Sequence, residues 1–88
     1  MGGYSRDIAH AVLSEYGVVA HLLEADEQYQ TWGYTRGSVN TLHAFDRRTA
    51  AYPPDTLLRI CVELGLGDSW DQIRQRIVDR GGWISPRP

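Results

Sequence analysis

Within NTLHAFDRRTAAYPPDTLLRI, residues 40–60, the adjacent prolines Pro53 and Pro54 constrain the backbone more than any other neighbours in the chain. Proline drives the residue before it into extended geometry and is accepted by a helix only in its first turn. Irregular backbone therefore ends at this pair, and a helix is expected to start there. Its apolar residues Leu57, Leu58, Cys61 and Leu64 lie along one face, and Gly65 and Gly67 stop it.

The same reading extends in both directions. In YSRDIAHAVLSEYG, Ser5 can cap a helix, Asp7 sits in its first turn, and Ile8, Val12, Leu13 and Tyr16 repeat on one side before Gly17. A second helix is expected over 18–25, from Val18, Val19, Leu22 and Leu23. A third is expected over 38–45, capped by Ser38, with Val39, Leu42 and Phe45 three residues apart. The last begins at Asp68 or Ser69, carries Trp70, Ile73 and Ile77, and stops at Gly81 and Gly82. Residues 26–37, with Tyr29, Trp32 and Tyr34 near Gly33 and Gly37, read equally as an extension of helix 2, a small hairpin or an aromatic loop. The sum is an all-α fold, a single compact domain of about five short helices over residues 1–82, followed by a tail at 83–88.

At 88 residues there is room for one core, and 42% hydrophobic with 23% charged residues is ordinary globular composition. No apolar run is long enough to span a bilayer, so no membrane association is expected. One cysteine, Cys61, can form no intrachain disulfide and fits a reducing compartment, which places the protein in the cytoplasm. The net charge of -2 opposes simple polyanion binding, but the charge is unevenly spread. Residues 1–35 set Arg6 against Asp7, Glu15, Glu24, Asp26 and Glu27, whereas 36–59 hold Arg36, Arg47, Arg48 and Arg59 against Asp46 and Asp55.

Catalytic chemistry finds no constellation. His10, His21 and His43 are dispersed, no cysteine cluster or HExxH spacing offers a metal site, and no glycine-rich phosphate loop is present. Asp26 and Glu27 are adjacent and would diverge on a helix, and Cys61 reads as a small core hydrophobe. Neither enzymatic activity nor a metal or other cofactor is expected.

The blocks TLHAFD, PPDTLLRICVELGLG and SWDQI, in that order, resemble the phage-repressor-like, or XRE-type, helix-turn-helix family over residues 38–75. The matching positions are Thr41, Leu42, Phe45 and Asp46, then Thr56, Leu57, Leu58, Ile60, Leu64 and Gly65. The resemblance implies a DNA-binding transcriptional regulator, acting as a dimer on double-stranded DNA with half-sites about 34 Å apart. Helix 3 at 38–45 would enter the major groove. Ser38, Asn40, Thr41 and His43 would then face bases, with the Asn40 amide suited to adenine, while Arg36, Arg47, Arg48 and Thr49 would contact phosphates. The alternative is a protein-interaction module of phage accessory, antitoxin or immunity type. Its acidic amino-terminal half and the Tyr29, Trp32, Tyr34 cluster would meet a protein partner, because such rings are enriched at binding hot spots.

Overall fold

The computed structural model describes residues 2–47 and 51–85. Strand β1 (Gly3–Ser5) runs straight into helix α1 (Arg6–Ser14), where Ser5 Oγ accepts the Ile8 amide at 3.4 Å as an N-cap. An antiparallel meander follows: β2 (Val19–Ala25), β3 (Tyr29–Arg36) and β4 (Val39–Asp46), paired in the order β2-β3-β4. Strand β5 (Ala51–Tyr52) leads through Pro53 into α2 (Pro54–Glu63), with proline in the first turn as the sequence requires. A short 3-10 turn (Gly67–Ser69), α3 (Trp70–Asp79) and β6 (Trp83–Ile84) complete the described chain. The second sheet, ordered β5-β1-β6, is antiparallel throughout and places β1 between segments from the middle and the end of the chain. The expected tail thus begins with a strand: Trp83 pairs with Tyr4, and Ile84 with Gly3.

The all-α expectation is overturned. Among the described residues there are three α-helices and two three-stranded antiparallel sheets, so no repressor-like helix-turn-helix is formed. Residues 18–25, read as helix 2, give β2, and residues 38–45, read as helix 3, give most of β4. Of the alternatives for 26–37, the structure takes the hairpin. The cause is the density of β-branched and aromatic residues in YQTWGYTRGSVNTLHAFD, which suit a pleated, half-buried surface. A two-residue turn fixes the β3–β4 register, with Arg36 opposite Val39. Gly37 there has φ +61° and Ser38 has no positive φ, the pattern of a type II′ turn with glycine in its first central position.

One core joins these parts. The inner face of β2-β3-β4 contributes Tyr34 and Phe45, which are buried with Val12 and Leu13 of α1, Leu57, Ile60 and Cys61 of α2, and Ile73 and Ile77 of α3. Period 2 puts Gln30, Trp32, Tyr34 and Arg36 of β3 on this inner face, with Thr41, His43 and Phe45 of β4 beside them.

Candidate protein-binding face

The inner face is both polar and filled. His10 of α1 lies 3.2 Å from the Tyr34 hydroxyl through Nε2 and also bonds the Tyr52 hydroxyl, and the two hydroxyls bond each other. The Trp32 ring lies 4.7 Å from the imidazole, centroid to centroid, tilted by 59°. Burial, reinforced by the Arg6 cation, pushes His10 down from 6.5 to about 4, so the ring is neutral near pH 7 and can accept a hydroxyl proton at Nε2. Burial likewise raises Tyr34 to about 12 and raises Tyr52, keeping both as hydroxyls. Arg6 spans the cluster: Nη1 donates to Gln30 Oε1 at 3.1 Å, and the guanidinium lies 5.4 Å from the Phe45 ring centre.

Nearer α2, Glu63 Oε1 accepts from Thr41 Oγ1 at 2.6 Å and meets His43 Nε2 at 2.7 Å. The Thr41 bond, then the His43 bond, holds the Glu63 carboxyl below its ordinary value. Both partners meet the same carboxylate oxygen, and Thr41 approaches the same ring nitrogen at 3.2 Å. A nucleophile-base-acid relay needs the carboxylate on the opposite ring nitrogen, so this triangle ties β4 to α2.

The outer face of the meander is different. An antiparallel sheet with one solvated face ordinarily alternates apolar inward and polar outward. Here the outward positions include Val19, Leu23, Tyr29 and Leu42, which are 54%, 55%, 46% and 63% exposed. At the centre Gly33 has two direct cross-strand neighbours, His21 on β2 and Leu42 on β4. The register slips between Leu22 and Glu24, and the extra residue of this bulge, Leu23, leans over Gly33. A Cβ at position 33 would come within 2.9 Å of Leu23 Cδ1 and 3.4 Å of Leu42 Cδ2. The two leucines thus lean in over Gly33, and with Gly33, His21, Thr35 and Asn40 they line a groove of about 180 Å³. That volume exceeds the roughly 150 Å³ cavity that can hold a benzene ring.

Acidic groups gather at one end of this face. Glu24 lies opposite Thr31, two residues along β3 from Gly33. The β2–β3 turn is built by Asp26, whose Oδ1 accepts the Gln28 and Tyr29 amides at 2.8 and 2.7 Å; those two bonds, Tyr29 first, lower its carboxyl. Arg47 is held at this tip, donating to the Asp26 carbonyl at 2.6 Å. Glu24 and Glu27 have no hydrogen-bond or ion-pair partner among the described residues.

The residues expected to read bases are separated by the strand. Ser38 sits in the hairpin turn, Asn40 faces outward and accepts from Thr35 Oγ1 at 2.8 Å, and Thr41 and His43 face inward on Glu63. Of the expected phosphate contacts, Arg36 is consumed internally. Its Nε donates to the Tyr16 carbonyl at 3.3 Å and its Nη1 to the Leu64 carbonyl at 3.1 Å, closing the carboxyl ends of α1 and α2. Arg47 braces the β2–β3 turn, and Arg48 and Thr49 lie outside the described residues. The aromatic trio also divides: Tyr29 is exposed, Trp32 packs inward on His10, and Tyr34 is fully buried. Leu23, Gly33 and Leu42 were not singled out from the sequence as surface groups. Their signal was the placement of leucines at outward strand positions, which appears only once the strands are known.

Among the described residues no three histidine, cysteine or acidic side chains cluster as metal ligands, and no helix is long and apolar enough to cross a membrane. No protein-family model, curated protein or solved structure matches this chain, so the repressor-like resemblance finds no support there.

Proposed function

We propose that this chain is a small protein-binding domain that docks its partner on the outer face of β2-β3-β4. The observation that carries the reading is the contrast between the faces of one sheet. The inner face packs on α1 and α2 and leaves, of its large apolar residues, only Leu22 and Val39 exposed at its edges. No described element covers the outer face, which keeps Leu23 and Leu42 in solvent beside a groove, Val19 and Tyr29 exposed farther along the strands, and carboxylates at one end. Contiguous apolar surface rimmed by polar groups is the usual mark of an interaction site. Of the two functions expected from the sequence, protein interaction retains its residues in part, through Tyr29 and the acidic segment. Groove reading by a helix at 38–45 has lost its helix. Cys61 is a buried free thiol with no second cysteine in the chain to pair with, which fits the reducing cytoplasm where we place the domain.

Selection from a random displayed peptide library tests this reading. Peptides enriched on the wild-type domain are expected to lose binding to Leu42→Glu and to keep it for Val62→Glu, which alters an exposed valine on α2. No enrichment, or binding indifferent to Leu42→Glu, would overturn it.

A further inference from the structure

We propose that the groove over Gly33 receives one apolar side chain from a basic partner segment, with a partner cation resting on Glu24 and Glu27. This deepens the proposed function and rests on it. The groove has the size for a single aliphatic side chain: Gly33 forms its floor, and Leu23 and Leu42 form apolar walls. Its location follows from pairing, because Gly33 is flanked on both sides by residues directly opposite it and contributes no side chain between them.

Charge complementarity selects the partner. Glu24 shares the outer face and lies two residues along the sheet from the groove, about 7 Å at strand rise. Glu27 follows in the adjoining turn, and neither carboxylate is compensated by a described side chain. Arg47 at the tip donates to the Asp26 carbonyl and its charge acts on the Asp26 carboxylate, so among the described residues of the tip Glu24, Asp26 and Glu27 stand against one cation and leave it net negative. The surface therefore asks for an apolar side chain and, about 7 Å away, a lysine or arginine. In an extended segment these are residues two apart, on the same side of the strand.

The probe is a short synthetic peptide carrying one leucine with an arginine two positions away, titrated into isotope-labelled protein and followed by backbone amide shifts. Saturable shifts are expected at Leu23, Gly33 and Leu42 and at the Glu24–Glu27 tip. Replacing the peptide leucine by alanine should weaken binding at least about tenfold, as loss of a buried leucine side chain predicts. Replacing its arginine by glutamate should abolish binding. Gly33→Val, which displaces the Leu23 and Leu42 side chains that wall the groove, should also weaken it at least about tenfold, while Gly33→Ala gives a milder version if valine disturbs the sheet. Position 33 lacks a positive φ, and a new Cβ would meet only side-chain atoms of the exposed Leu23 and Leu42, which can rotate away, so Gly33→Ala is expected to fold.

Binding to the outer face that ignores both Gly33 variants, or that accepts the glutamate peptide equally, would overturn the groove inference and leave the open-face reading intact. Shifts confined to the helices, or none at millimolar peptide, would overturn the inference, and with the library selection negative the function would fall too. A wild-type dimer dissolved by Leu42→Glu in sedimentation would make a second copy the occupant and overturn the basic-partner assignment.

Discussion

His10 makes the stability of this domain depend on pH in a window where most carboxylates do not titrate. Its imidazole has an ordinary value of 6.5 and is held at about 4 in the folded chain, chiefly by burial against Trp32 and the Tyr34 and Tyr52 hydroxyls. The unfolded chain therefore takes up a proton at this residue as pH falls below 6.5, while the folded chain resists until about 4. Stability from this residue is complete above 6.5 and is lost as pH falls from 6.5 towards 4. Between pH 7 and pH 5 the linkage amounts to about 2 kcal/mol, which residual solvent at the ring reduces to about 1 kcal/mol. Glu15, Asp26 and Glu63 are held below their ordinary carboxylate values, so their contributions are lost only at still lower pH. Comparing the wild type with His10→Gln isolates the contribution of this one residue. Urea unfolding of both proteins at pH 7 and pH 5 should show the wild type losing about 1 kcal/mol more than the variant. Equal losses would refute the idea that a neutral, buried His10 organises the inner face.

Three further perturbations address the frame that presents the outer face. Arg36→Ala frees the Tyr16 and Leu64 carbonyls and should cost about 2 kcal/mol in thermal or urea unfolding, and Arg36→Lys should recover only part, because one ammonium lacks the guanidinium fork. Tyr52→Phe removes the hydroxyl that bonds both His10 and Tyr34, an expected loss of about 1–2 kcal/mol by the same assay. Gly37→Ala forces a side chain into φ +61° at the β3–β4 turn and should cost about 1 kcal/mol, seen also as faster amide exchange along that hairpin.

The helices were legible in the sequence because their signals are local. Ser5 caps α1, the proline pair opens α2, and the Ile73 and Ile77 stripe marks α3, each within a few residues of the expected position. The meander was not legible, for reasons that bear on function. An amphipathic strand announces itself by alternation, and β4 spreads its large apolar residues over both faces, with Phe45 inward and Leu42 outward. Its inward Thr41 and His43 are polar but satisfied by Glu63, a partner 20 or more residues away that no local pattern reveals. In β2 the bulge breaks the period again: Leu22 pairs with Trp32 on the inner face, while Leu23 and Glu24 share the outer one, so apolar and polar residues do not alternate. The leucines that make the outer face a candidate site are thus the residues that disguised its strands. The aromatic residues beside Gly33 and Gly37 left a hairpin open for 26–37, while Ser38 as a cap and the three-residue spacing of Val39, Leu42 and Phe45 pointed to a helix for its second strand. Arg36 shows the same limit for a site residue: its charge suggested phosphate, while its position across two helix ends assigns it to packing.

The affinity of a library-selected peptide for the wild type, Leu42→Glu and Val62→Glu tests the central claim most directly. Both substituted positions are exposed, at 63% and 57%, so neither change should cost more than about 0.5 kcal/mol of stability. The outer-face account predicts that Leu42→Glu reduces affinity by a hundredfold or so, as a charge placed in an apolar contact does, with Val62→Glu indistinguishable from wild type. Equal affinity for all three, or a loss confined to Val62→Glu, would contradict it.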